Sequence, residues 1–182
     1  MNNLIGKSFL VFILLFTGQV NSTEQGIFKS DFTSESKVEA KSKHINSQAF
    51  DSAIYKDIKK NYQGKKWLTL LWSVDCPPCM KELAIVQSLQ QQQRELAIVI
   101  INVDTYEESE QQRDKILAHF NLASQTNLHF SEGLVDQSRY LIDPHWFGEL
   151  PRSYFIDEAG TFHGKSGLAS KQLLEKWLIV AQ

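Results

Sequence analysis

The stretch Leu68 to Leu83, LTLLWSVDCPPCMKEL, restricts the fold more than any other part of this 182-residue chain. Leu68 to Trp72 is a short apolar run. It breaks at Ser73-Val74-Asp75 and delivers Cys76-Pro77-Pro78-Cys79, after which Met80 to Leu89 continues as an amphipathic segment. A strand, a tight turn and two cysteines at i and i+3 opening a helix form the layout of a dithiol centre. At that spacing the sulfurs either close a small ring or stand as paired thiols. A helix N-terminus beside the first sulfur favours the thiolate, its reactive form. These are the only two cysteines of the chain, too few for a disulfide scaffold. A bridge between positions three apart also closes too short a loop to restrict the unfolded chain by much. The pair is therefore expected to work rather than to staple.

The front of the chain carries a targeting segment. Lys7 gives a positive n-region, Phe9 to Phe16 an uninterrupted apolar h-region, and Val20 and Ser22 fit the −3 and −1 positions of a signal peptidase site. The run is short for a bilayer span, so residues 1–22 read as a Sec-type signal peptide that sends the protein to the periplasm or beyond. A retained inner-membrane anchor is the alternative. Without that segment, 18 basic residues face 21 acidic ones. That balance supplies no basic patch for nucleic acid or an anionic membrane.

Residues 23–46 are rich in Ser, Lys and Glu without sustained periodicity and read as a tether or poorly ordered arm. A globular domain is expected over 47–182. In it, Ser47 is the expected cap of a helix whose Phe50, Ile54, Ile58 and Tyr62 recur every four residues up to Gly64. Strands are expected at Trp67 to Trp72, Leu96 to Val103 and Leu128 to Phe130, and helices at Met80 to Gln93 and Glu107 to Phe120. The unbroken apolar, β-branched run Leu96 to Val103 marks a strand buried on both faces. Ser138 to Phe147 reads as a short helix or turn region. Ser153 to Ile156 then turns at Asp157 to Gly160 into a hairpin partner, Thr161 to Gly164, and Ser170 to Val180 closes the chain as a helix. The order βαβαβ, hairpin, α predicts an α/β fold with a mixed central sheet and helices on both faces.

Three features in register carry a family resemblance: Trp72 four residues before Cys76; Leu150-Pro151 followed by a strand and D-x-x-G at Asp157 to Gly160; and a gap of 72 positions from Cys79 to Pro151. On these, Trp67 to Gln182 resembles the thioredoxin fold in its TlpA/ResA-like branch of exported thiol-disulfide oxidoreductases, with an extra βα insertion before the cis-proline strand. The resemblance implies that Cys76 is the attacking nucleophile and Cys79 the resolving thiol. It implies that Pro151 is a cis-proline facing them, that Leu150 presents backbone to an extended substrate segment, and that Trp72 packs beside the site, the three together serving to bind substrate. It implies protein disulfides as substrates, apocytochrome c among them, and a membrane thiol reductase of the DsbD/CcdA kind as electron donor. It implies no cofactor beyond the redox-active Cys76–Cys79 disulfide, and no metal is expected. The chain departs from the family at Asp75, where an aromatic residue is frequent, and at Leu70, where thioredoxin buries an acid. The family's relay carboxylate has only Glu107, Glu108 and Glu132 as candidates.

Asp75, Pro77 and Pro78 are expected to tune the dithiol. The prolines fit the first helical turn but remove two amide donors. Asp75 adds a like charge beside a Cys76 thiolate and disfavours it. A thiolate so weakly stabilised makes a reducing couple, hence a disulfide reductase rather than an oxidant. Disulfide oxidase or isomerase, or a non-enzymatic thioredoxin-like binding module, are the other readings. A zinc site lacks a second CxxC or HxxxH, and a peroxiredoxin pattern fails because Thr69 stands where its proline belongs. His44, His119, His129, His145 and His163 are scattered. Trp67, Trp146 and Trp177 read as core residues, Arg152 as a substrate contact or a solvated rim charge.

Overall fold

The computed structural model describes residues 45–93 and 95–179. The expected signal peptide and nearly all of the expected tether lie outside the described residues. Two apolar runs set the centre of the sheet: Trp67–Trp72 (β2) and Ile98–Asn102 (β3) are buried along their whole length. They pair in parallel from Leu68↔Ile98 to Trp72↔Asn102. Thr126–His129 (β4) lies parallel beside β3, and the two-residue Gln48–Ala49 (β1) closes that side. On the other side of β2, Arg152–Ile156 (β5) runs antiparallel, followed by Phe162–Ser166 (β6). The order β1-β4-β3-β2-β5-β6 is a mixed sheet, with β4 as the additional strand between β1 and β3.

Strand alternation divides the core. Leu68, Leu70 and Trp72 turn to one face, against Leu83, Val86 and Leu89 of Pro77–Gln90 (α2), Leu117 of Ser109–His119 (α3), and Leu174 and Leu178 of Lys171–Leu178 (α5). Trp67 and Leu71 turn to the other, against Tyr55 and Ile58 of Ser52–Asn61 (α1) and Ile142 of Val135–Ile142 (α4). Helices thus cover both faces: the mixed α/β sheet expected from the element order, and the thioredoxin-like fold that the resemblance implies, are observed.

Several local expectations need correction. Ser47 caps nothing: its hydroxyl bonds His129 Nδ1 at 3.0 Å, while Asp51 caps α1 by accepting the Ile54 amide at 2.8 Å. Residues 48–49 are a strand because β4 recruits them, a non-local pairing without a local signal. Ile45, two residues before the expected start of the domain, is buried in the core. α2 starts at Pro77 rather than Met80, because the prolines occupy its first two positions. The β5–β6 turn follows its motif: Asp157 accepts the Ala159 and Thr161 amides, and Gly160 takes φ +80°, a conformation that favours glycine.

Candidate active site

Topology brings the functional residues to one end of the sheet. β2 ends at Trp72 and hands the chain through Ser73 to Asp75 into α2. The antiparallel register that pairs Arg152 with Leu71 brings the start of β5, and Pro151 before it, to the same end. Crevices at the carboxyl ends of parallel strands are the usual place for a site in α/β sheets.

Cys76 and Cys79 are joined as a disulfide. Cys76 is the N-cap of α2 and keeps 9% of its surface exposed, whereas Cys79 has none. An N-cap side chain accepts from the second or third amide of the helix. The second residue here is Pro78, so only the third amide remains: Cys79 N–H lies 3.2 Å from Cys76 Sγ. Pro77 and Pro78 themselves are exposed. Asp75 is exposed next door, its carboxylate accepting the Tyr106 hydroxyl at 3.1 Å.

Trp72 is fully buried in the cluster that holds both cysteines. This corrects the expectation that it helps to bind substrate: the indole packs beneath the dithiol and offers a substrate no surface. The Leu150–Pro151 bond is cis. Leu150 packs partly buried against both core clusters, and the Pro151 carbonyl accepts the Gly167 amide at 2.9 Å. Arg152, read as either a substrate contact or a solvated rim charge, is instead built into the fold at 15% exposure. Its guanidinium donates to Asp143 at 3.1 Å and Ser166 at 2.8 Å, and lies 4.6 Å from the Tyr154 ring centroid. A Cβ on Gly164 would meet the guanidinium, so a side chain there would push Arg152 out of this position. Tyr154 and His145 bond Asp143 as well. Burial alone would raise the Asp143 carboxyl, but these donors and Arg152 hold it below its usual range.

The buried acid of the site escaped the sequence reading. Glu107, Glu108 and Glu132 are exposed, while Glu82, one helical turn after Cys79, is fully buried. Its carboxylate accepts the Ser153 hydroxyl at 2.6 Å and the Ala169 amide at 3.2 Å, and burial pushes its pKa upward. The signal was present: Cys79, Glu82, Leu83, Val86 and Leu89 share the buried stripe of α2, and Glu82 is its one charged member. His119 and His145 are exposed, Trp67 and Trp146 are core residues, and Trp177 packs against the core with its indole N–H on the Trp67 carbonyl at 3.1 Å. Among the described residues, no cluster of His, Cys, Asp or Glu could hold a metal ion.

The AhpC/TSA family matches residues 39–163. The thiol-disulfide oxidoreductase ResA of Bacillus thuringiensis subsp. konkukian is 26% identical over 170 residues, 93% of this chain and 92% of the relative. ResA of Bacillus anthracis is 25% identical over the same shares. A thioredoxin-family thiol:disulfide interchange protein of Chlorobium tepidum superposes with a TM-score of 0.53 at 18% identity, covering 68% of this chain and 83% of that one. A family match over most of the chain, a disulfide capping α2 and ResA relatives matched nearly end to end agree: this chain belongs to the AhpC/TSA family, as a thiol-disulfide oxidoreductase of thioredoxin-like fold.

Proposed function

We propose that this protein reduces disulfides of exported proteins through its CPPC dithiol, in the periplasm, to which residues 1–22 direct it. The observation that carries the direction of electron flow is the single amide donor, Cys79 N–H, left to Cys76 Sγ by the two prolines. With Asp75 beside it, Cys76 makes a weakly stabilised thiolate, and a couple whose reduced form is weakly stabilised is a reductant.

In the reaction, the Cys76 thiolate attacks one sulfur of the substrate disulfide. A Cys76–substrate bond forms, the substrate S–S bond breaks, and the departing thiolate takes a proton. Cys79, deprotonated in turn, attacks Cys76 Sγ; the second substrate thiol leaves, and the enzyme ends as the Cys76–Cys79 disulfide. Leu150 and Pro151 flank the substrate segment during this exchange. A membrane thiol reductase of the DsbD/CcdA kind returns the two electrons. Apocytochrome c is one substrate whose thiols must be kept reduced in that compartment.

The test is the reduction potential of the couple in glutathione buffers, together with insulin reduction by the Cys76→Ser variant. A potential near or below about −230 mV, with activity abolished in the variant, is expected. A value near −120 mV would make the protein an oxidant instead. Insulin reduction that survives Cys76→Ser would remove the dithiol from the mechanism.

A further inference from the structure

The turn that delivers Cys76 is held from the neighbouring strand. Asp104, two residues past β3, aims its carboxylate back at the end of β2. One oxygen accepts the Ser73 hydroxyl at 2.7 Å; the other accepts the Val74 amide at 2.8 Å and the Asn102 side-chain amide at 2.8 Å. Ser73 passes the restraint along the chain. Its hydroxyl oxygen accepts the Asp75 amide at 3.2 Å, and its carbonyl accepts the Cys76 amide at 3.3 Å. Every residue from Ser73 to Cys76 is therefore tied to Asp104, directly or through Ser73. Tyr106 holds the same turn from the same loop by donating to Asp75.

This polar anchoring stands where packing offers little. Ser73 and Val74 are only partly buried and Asp75 is exposed; Val74 alone of the three packs against the apolar core, whereas Trp72 and Leu83 on either side of the turn are fully buried in it. A carboxylate receiving three donors is a strong local restraint, since hydrogen bonds to a charged acceptor are about twice as strong as neutral ones. In the oxidised form the Cys76 backbone, at φ −113° and ψ 92°, and the bond to Cys79 together set Sγ beside the Cys79 amide; once that bond is reduced, the backbone is the restraint that remains. A turn free to shift would spoil that one remaining donor contact.

We infer that Asp104 is a positioning residue for Cys76: it fixes the Ser73–Asp75 turn and so keeps Sγ in line with the Cys79 amide. Asp104 touches neither substrate nor the reacting sulfur and acts through Ser73 and Val74. The inference rests on Cys76 being the nucleophile, as proposed above, but not on the direction of electron flow.

The experiment is the rate of Cys76 alkylation by iodoacetamide, followed by peptide mass spectrometry on the reduced protein across pH. It compares wild type, Asp104→Ala, Ser73→Ala and the double variant, with a melting temperature for each. Positioning through Ser73 slows Cys76 alkylation at neutral pH in both single variants, by roughly five-fold, and moves the pH midpoint upward. The double variant then falls short of the product of the two single effects, because both cut one chain of bonds. Two results overturn the inference: a Ser73→Ala profile equal to wild type, or a downward shift in Asp104→Ala, which would mean that Asp104 acts on Cys76 by its charge alone. Ser73→Ala keeps the acid in place, so it decides the matter even where Asp104→Ala fails to fold. Failure of the underlying reading looks different: in wild type, Cys79 would be alkylated as fast as Cys76, and both the assignment and the inference would go.

Discussion

A carboxyl group with no solvent contact has to gain its stability from its partners, and Glu82 has two, the Ser153 hydroxyl and the Ala169 amide. Both favour the ionised form, yet burial outweighs them and the pKa stands above the ordinary glutamate value. A raised folded-state pKa means that the folded protein binds the proton more tightly than the unfolded chain. This contribution to stability is complete below the unfolded glutamate pKa and is lost as pH rises through the folded one. Glu82→Gln removes the titration while keeping both contacts, since Ser153 can accept as well as donate. The variant should therefore gain on wild type as pH rises from the ordinary glutamate range toward neutrality, measured as the urea midpoint of the oxidised proteins. Parallel curves would mean that Glu82 titrates alike in the folded and unfolded chain. Arg152 is a largely buried charge held by its own partners, Asp143 and Ser166. Arg152→Ala should cost about 2 kcal/mol, leaving the buried side of Asp143 without its cation. If Leu150 and Pro151 flank substrate as proposed, loosening the residue next to them should raise KM for a disulfide substrate while Cys76 alkylation stays unchanged. An unchanged KM would confine Arg152 to stability.

At the scale of elements, the beginning of α2 is the part that sets the chemistry. Proline at its second position denies Cys76 Sγ one of the two amides that an N-cap side chain ordinarily reaches. Pro78→Ala restores that N–H without altering the apolar stripe of the helix. The pH midpoint of Cys76 alkylation should fall and the potential should rise, by about 30 mV for each pKa unit. A potential unmoved by the substitution would show that the restored amide does not reach the sulfur. The same helix shows what a sequence does and does not disclose. β2 and β3 were legible because an unbroken apolar run has one home, the middle of a covered sheet. The dithiol was legible because strand, turn, CxxC and helix all follow from local spacing. β1 was not, since Gln48 and Ala49 form a strand only by pairing with residues about eighty positions away. Glu82 was hidden by the habit of reading the buried face of a helix from apolar residues alone. The frame around Arg152 was hidden because Gly164 and Ser166 meet it only through the β5–β6 pairing and Asp143 only from the end of α4, all non-local contacts.

For the whole molecule, redox state and folding stability are two sides of one cycle. The free energy by which the fold favours the Cys76–Cys79 disulfide, relative to the unfolded chain, equals the amount by which oxidation stabilises the fold. A strong oxidant is one whose reduced form is the more stable. Here the structure gives little to a reduced Cys76: one amide donor, Asp75 alongside, and a Cys79 that is fully buried in the core. Enclosure also disfavours a Cys79 thiolate. The oxidised protein should then be the more stable one, by about 3 kcal/mol for a couple roughly 60 mV more reducing in the fold than in the unfolded chain. Urea unfolding of the oxidised and reduced forms at one pH measures this directly, provided that each unfolds in a single transition. A reduced form with the higher midpoint would reverse the cycle and place the protein among disulfide-forming enzymes, whatever its activity on insulin. The comparison needs neither the physiological substrate nor the electron donor, because it reads only which redox form the fold prefers.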